Sequence, residues 1–399
     1  MSRILLAWEL GSNLGHLAQL LAIACHLREH GHEVLCAVKD PTLAGLILGD
    51  KGFPFVPTPR PISRKMRRRV SVSFADILAR AGFDDEEVLF GLVSAWHGIF
   101  GLFRAEILVA EYAPVAGFAA NLMALPSLQV TTGFSSPPPV APYPCFRPWL
   151  NISRKELVLR EVGLQQKIEK ICTRLQKPVF QSVQEAIQGR DTLLATVPEL
   201  DHYRGRKNGR YIGPLVLPDE GLDCHWLDDG RRRVFAYLRP APYLAKVLEI
   251  LQENEVQLIA CIPGIDTTLA AMFAAEGAWR LGVTPIRLKA LLQTADLVLG
   301  YGGHGLVARA LLAGAPQLMI PGNIDQWLLS THVQRQQMGL FIDQGKIDSD
   351  FAPALASLLG DASFRSNAYQ FANKYAEVTN GKGLRILTDT IASPRFLNR

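Results

Sequence analysis

Residues 295–326 read ADLVLGYGGHGLVARALLAGAPQLMIPGNIDQ, two apolar runs on either side of one amphipathic segment. The run Leu297–Leu299 suits a strand buried on both faces, and Gly300, Gly302, Gly303 and Gly305 let the backbone turn sharply into a helix. That helix is expected over Leu306–Ala313 and closes at Gly314; Gln317–Ile320 then supplies the next strand, ahead of a loop, Pro321–Gln326. Both loops leave the carboxyl ends of parallel strands, where open α/β sheets bind ligands. Free backbone N–H groups at the helix start can hold a phosphate. A glycine-rich strand-to-helix turn is equally compatible with a tight turn that holds nothing, so its continuation has to decide.

With that continuation, the segment resembles the donor-binding signature of GT-B glycosyltransferases of the UDP-glycosyltransferase type, the macrolide-glycosyltransferase-like group. There, His-x-Gly-x-x-Ser/Thr opens the helix and Asp-Gln follows the next strand. Gly303, Asp325 and Gln326 match, the last two being the pair that holds the sugar hydroxyls. Tyr301 stands where the phosphate-binding His usually is, Leu306 replaces the hydroxyl residue, and Arg309 falls where a Glu grips the ribose diol. A Tyr hydroxyl can donate to a phosphate oxygen and His304 can assist, but a guanidinium cannot accept from ribose hydroxyls. Arg309 is left with two readings, a phosphate contact or a place on the solvated helix face. The resemblance implies an α/β protein of two Rossmann-like doubly wound domains facing across a cleft. It places the donor on Tyr301, Gly302, Gly303, His304, Gly305, Arg309, Asp325 and Gln326.

The chain has 399 residues, 48% of them hydrophobic and 20% charged, which suits two globular domains and excludes a disordered protein. Its six cysteines, Cys25, Cys36, Cys145, Cys172, Cys224 and Cys261, form no Cys-x-x-Cys pair, and no histidine cluster has metal spacing. They read as reduced thiols, and neither a metal nor a cofactor is expected. The N-terminus runs straight into a strand, Ile4–Trp8, without a leader, and the apolar stretch Val88–Ala110 is broken by His97, Arg104 and Glu106. A cytoplasmic protein without a transmembrane helix is therefore expected. The formal charge is +5, and part of it sits in Arg60, Arg64, Lys65, Arg67, Arg68 and Arg69. No aromatics interleave that run, which argues against nucleic acid. A solvated loop, an anionic acceptor and a peripheral contact with the inner face of a membrane stay open.

In the first half, Ile4–Trp8, a loop Glu9–Leu14, a helix Gly15–His30 closed by Gly31, and a strand Val34–Val38 make a βαβ unit. His16 sits at that helix start, beyond the carboxyl end of the first strand. A histidine so placed can take a proton from an acceptor hydroxyl or amine. The stretch Gly11-Ser-Asn-Leu-Gly-His16 is similar to the first βαβ of the same glycosyltransferases, and of the peptidoglycan N-acetylglucosaminyltransferase. The resemblance makes His16 the general base and gives Glu111, after the strand Ile107–Ala110, the role of its carboxylate partner. It also puts Asn13 and Phe134 at the acceptor. The segments Phe74–Leu78 and Val88–Phe103 fit either an acceptor wall or helices that cover the sheet. Residues 151–189 are expected to be helical and Arg190–Val197 a strand.

The domains are expected at 1–213 for the acceptor, 214–229 as linker, 230–375 for the nucleotide sugar, and 376–399 as a helix crossing back to the first. The second domain opens with a strand, Arg233–Leu238, and a helix, Tyr243–Asn254. Where the family has a Gly-Ser turn this chain has Arg239-Pro240-Ala241-Pro242, and Arg239 offers a guanidinium to a phosphate. Pro285 lies in the family's base-binding loop. Retaining GT-B enzymes carry paired glutamates around the donor helix, whereas here no Glu occurs between Glu276 and Glu377. The expectation is an inverting transfer of a sugar from a UDP- or dTDP-sugar to a small-molecule or lipid-linked acceptor. The competing readings are a catalytically inactive GT-B protein that binds a nucleotide or partner, and a sugar-nucleotide epimerase.

Overall fold

The computed structural model describes residues 1–11, 14–61, 70–215, 219–274, 279–282, 286–378 and 380–397. Two compact units emerge: Met1–Leu215 together with Asn380–Arg399, and Val216–Thr379. Asn13, Pro285 and the basic run from Arg64 to Arg69 lie outside the described residues.

The first unit holds a parallel sheet of β1 (Arg3–Trp8), β2 (Glu33–Val38), β3 (Phe55–Pro57), β4 (Ile107–Glu111), β5 (Ser127–Thr131) and β6 (Asp191–Leu194), in the order β3-β2-β1-β4-β5-β6. The order reverses between β1 and β4. In an open α/β sheet that switch point is where a crevice opens beyond the strand ends. Helix α1 (Leu14–Glu29) makes the first crossover, and α2 (Glu86–Phe103) and α3 (Pro114–Leu122) pack later in the chain. Phe74, Leu78, Leu89, Val93, Trp96 and Phe100 are buried with Leu5, Ala7, Leu108 and Ala110 of the sheet. Of the two readings for the apolar segments, the structure therefore realises helices that cover the sheet. Each such Phe or Leu contributes about 1.5–3 kcal/mol by leaving water.

The second unit repeats the topology with β7 (Arg233–Tyr237), β8 (Gln257–Cys261), β9 (Trp279–Gly282), β10 (Leu297–Gly300), β11 (Gln317–Met319) and β12 (Gly339–Phe341), in the order β12-β11-β10-β7-β8-β9. Its switch point lies between β7 and β10. Helix α4 (Lys289–Thr294) precedes β10, and α5 (His304–Leu312) and α6 (Ile324–Arg335) follow β10 and β11. A last long helix, α7 (Asn380–Ala392), belongs to the first unit.

Several boundaries differ from the sequence reading. The strand expected over 190–197 is limited to β6, because Pro198 starts a 3-10 turn after Val197. The expected loop 321–326 is shorter, since Asn323 accepts a bond from the Gln326 N–H at 3.0 Å and starts α6 at Ile324. Helix α5 starts earlier than expected, at His304.

Candidate active site

At the switch point of the first sheet, Trp8 of β1 is in register with Glu111 of β4. Glu111 is 1% exposed, and its Oε2 lies 2.9 Å from Nδ1 of His16 in the first turn of α1. The Trp8 ring stacks on the imidazole with 5.4 Å between centroids. In the neutral ring, Nδ1–H donates to the carboxylate, which leaves Nε2 as the proton-accepting nitrogen and stabilises the imidazolium once it forms. The loop between β1 and α1 must pass close to this ring. At Gly11, φ is +80° and a Cβ would come within 2.2 Å of Nε2, so only glycine leaves the histidine in place. The loop is tied at both sides: Leu10 N–H donates to Tyr112 O at 3.1 Å, and Lys39 Nζ donates to Gly11 O.

Glu9 went unnoticed in the sequence. It is 7% exposed and accepts bonds from Trp96 Nε1 at 2.6 Å and from the Val115 and Ala116 N–H groups at 2.9 Å each. Burial pushes its carboxyl up to about 7, against the pull of those three donors. The N-cap position of α3 is Ala113, which has no side-chain acceptor, so Glu9 caps that helix from a neighbouring strand end. An alanine before Pro114 was the one available hint that the cap must come from elsewhere. Phe134 is 5% exposed, packed edge-on to Tyr112 at 6.3 Å and against Phe146 at 5.7 Å. It buttresses Tyr112 within an aromatic cluster. Tyr112 in turn lies 6.1 Å from the His16 ring.

In the second unit, Arg239 follows β7 and Tyr301 follows β10, so both stand at that sheet's switch point. The Tyr301 phenol is hydrogen-bonded to Tyr237 and Arg239, and the Arg239 guanidinium lies 4.5 Å from the Tyr301 ring centroid. Burial raises the phenol above its usual range, so it stays protonated. Gly302 has φ +74°, and a Cβ there would meet Ser330 Oγ at 2.4 Å. Ser330 is fully buried and its hydroxyl has no hydrogen-bond partner among the described residues. No side chain caps α5 at Gly303, so the N–H groups of the Gly303–Gly305 turn are presented beyond the strand end, with His304 at the helix start.

Leu306 lies over Gly300, where an added Cβ would meet its Cδ2 at 2.9 Å. The residue found in place of a hydroxyl side chain is thus part of the packing. Arg309 is neither on a solvated face nor aimed at open space. Its side chain is 21% exposed and pairs with Asp219 at 3.2 Å. Asp219 also accepts from the Leu288 N–H at 2.8 Å and the Lys289 N–H at 3.0 Å, capping α4. Asp325 lies in the first turn of α6, where its charge suits the helix dipole. Gln326 is 5% exposed, and its Oε1 accepts from the Gly322 N–H at 2.9 Å, leaving the amide nitrogen as its donor.

The comparisons with known proteins agree with this architecture. The chain superposes on the glycotransferase of kitacinnamycin with a TM-score of 0.72 over 97% of this chain and 98% of that one, at 16% identity. The fold is GT-B. A second GT-B structure, the spinosyn rhamnosyltransferase SpnG complexed with thymidine diphosphate, gives a TM-score of 0.68 over 97% and 99% of the two chains, again at 16% identity. Residues 257–381 of this GT-B chain match the family described as "Erythromycin biosynthesis protein CIII-like, C-terminal domain". A PGL/p-HBAD biosynthesis glycosyltransferase of Mycobacterium tuberculosis is 29% identical over 195 residues, covering 46% of this chain and 44% of that protein. The aclacinomycin-T 2-deoxy-L-fucose transferase of Streptomyces galilaeus is 28% identical over 173 residues, 39% of this chain and 37% of that protein. The GT-B chain thus spans less than half the length of these curated relatives. Among the described residues no helix is long and apolar enough to cross a membrane.

Proposed function

We propose that this chain is an inverting glycosyltransferase that moves a sugar from a nucleotide-diphosphate donor to a hydroxyl or amine of a small-molecule acceptor. The observation that carries the proposal is the 2.9 Å contact between His16 Nδ1 and the buried Glu111 at the switch point of the first sheet. His16 Nε2 takes the acceptor proton as the acceptor attacks the anomeric carbon from the face opposite the leaving diphosphate. The Gly303–Gly305 N–H groups and Arg239 stabilise the charge that develops on the diphosphate, so no cofactor is invoked. Asp325 and the Gln326 amide take the sugar hydroxyls. Arg309 is engaged with Asp219, and this leaves position 309 without an acceptor for a ribose diol. A 2′-deoxyribose has one hydroxyl fewer to satisfy there, so a dTDP-sugar is favoured over a UDP-sugar. The thymidine diphosphate named for the spinosyn rhamnosyltransferase structure supports the same choice.

The test is a thermal-shift panel of UDP, dTDP and GDP sugars, followed by transfer assays with an aromatic alcohol acceptor. A bound donor must raise the melting temperature. The His16→Ala and Glu111→Gln variants should keep that shift while losing transfer, by ~10²–10⁴-fold for the histidine. A chain stabilised by no nucleotide sugar would overturn the donor reading. Full transfer by His16→Ala would overturn the base.

A further inference from the structure

Two adjoining pockets, an inner and an outer lobe of about 360 and 530 Å³, open along the outer edge of β6 and share Arg190, Asp191 and Arg210. The inner lobe lies between the β5–β6 edge and residues 206–210, and the outer lobe reaches the end of α7 at Ser393 and Phe396. Both lie wholly within the first unit. Tyr143 lines the inner lobe and packs on Phe74 at 5.5 Å; Phe74 packs on Tyr112 at 6.3 Å, and Tyr112 stands beside His16. A row of aromatic rings therefore separates the pocket from the proposed base.

The loop forming its mouth is built before any ligand arrives. Asp201, 2% exposed, accepts from the Tyr203 N–H at 3.0 Å, Arg206 Nε at 2.5 Å and the Tyr211 hydroxyl at 2.8 Å. Leu194 N–H donates to Arg210 O at 2.8 Å and Ile212 N–H to Leu194 O at 2.9 Å, pinning the same loop to the sheet edge. Gly205 and Asn208, with φ of +71° and +58°, turn it back over the pocket. Arg190 is held by the carbonyls of Ala124, Phe396 and Leu397 at 2.7–2.9 Å. The inner lobe is thus lined by Arg190, Arg206, Lys207 and Arg210, of which Arg206 pairs with Asp201 and Arg210 with Asp191. Lys207 is exposed and makes no ion pair among the described residues. On the pocket wall, the Ser136 and Thr192 hydroxyls donate to Gln129 Oε1 at 3.1 and 3.2 Å, which leaves their oxygens ready to accept from hydroxyls.

We propose that this pocket binds a small phosphorylated polyol, such as a hexose phosphate, with the phosphate against Lys207 and the arginines and the hydroxyls on Ser136 and Thr192. The cations supply charge-assisted bonds to phosphate oxygens, and the neutral wall distinguishes a polyol from a bare anion. The site is separate from the donor site and does not depend on the proposed transfer.

Calorimetric titration of the full chain with glucose 6-phosphate, inorganic phosphate and glucose tests it, with saturating thymidine diphosphate present to occupy the other anion site. Glucose 6-phosphate should bind, inorganic phosphate more weakly, and glucose not at all. Lys207→Glu should weaken glucose 6-phosphate by about tenfold or more, the loss of one charged bond, while its melting temperature and thymidine diphosphate affinity stay unchanged. Thr192→Val should weaken it by a few-fold. Capture by vesicles containing phosphatidylinositol 4-phosphate and not by phosphatidylcholine vesicles, lost in Lys207→Glu, would support the same site with its phosphorylated polyol carried on a lipid. Binding abolished by thymidine diphosphate, or unaltered by both substitutions, would overturn the proposal, as would no binding of any of these probes.

Discussion

Two carboxylates at the carboxyl ends of neighbouring strands, Glu9 just past β1 and Glu111 at the end of β4, are held to different tasks. Glu111 faces His16, while Glu9 faces three uncharged N–H donors, from the Trp96 indole and the Val115 and Ala116 backbone. Burial raises the Glu9 carboxyl from 4.5 to about 7, so the folded chain keeps a proton that the unfolded chain gives up. The stabilisation is complete below pH 4.5 and is lost as pH rises through 7. Over that window the unfolding free energy should fall by ~3 kcal/mol from this group. Urea unfolding between pH 4.5 and 7.5 checks it: Glu9→Gln, which cannot ionise, should show a flatter profile than the wild type. Equal slopes would mean that Glu9 ionises as freely in the fold as out of it. Sequence could not have revealed Glu9, because its partners lie 87 to 107 positions away, Trp96 in α2 and Val115 and Ala116 in α3, and depend on the register of β1 with β4. The contact between His16 and Glu111 was legible from the resemblance carried by the Gly11–His16 stretch, together with the place of Glu111 at the end of an apolar strand run. The same distance limit hid the pair of Arg309 and Asp219, whose members fall in an expected helix and an expected linker.

At the level of elements, the strand–turn–helix from β10 to α5 was visible from its glycines and apolar runs. The start of the following helix, α6, was not, because helix starts follow caps. Asn323 with Gln326 three positions on is such a cap, and it moves Asp325 and Gln326 from a loop onto a helix. Gly302 is the element's most constrained position, by both its φ of +74° and the Ser330 hydroxyl and Gln326 carbonyl beside it. Gly302→Ala should destabilise the chain by about 1–3 kcal/mol and weaken dTDP-sugar binding, as read by urea unfolding and donor titration. Adding Ser330→Gly should restore part of the stability by removing the clash, leaving about 1 kcal/mol of backbone strain. If Gly302→Ala binds donor like the wild type, the turn does not approach the diphosphate.

Across the whole molecule, one topology occurs twice, and each copy places its candidate residues at its own switch point. The apolar strand runs made that architecture readable. The division of the chain also shows that the first unit contains α7, whose residues come after the second unit. His26 Nε2 lies 2.8 Å from Thr388 Oγ1, and Arg210 donates to Thr390 Oγ1 at 3.1 Å. A Cβ at Gly383 would come within 2.6 Å of Ile212 O. Gly383→Val should therefore loosen the first unit by at least 1 kcal/mol on the order of an overpacked contact, with protease cutting first in residues 380–397, while the dTDP-induced thermal shift persists. Loss of that shift would show that the second unit depends on α7 as well.

The position of α7 sets an order of events on the ribosome. The nascent chain emits β1 through β6 first, yet the helix that packs on α1 emerges only after the entire second unit has been made. The unit that begins folding first is the last to be finished, and it waits with the α1 surface around His26 uncovered throughout translation of residues 216–379. Chaperone engagement with the nascent polypeptide is accordingly expected to concentrate on that first-made, last-closed surface.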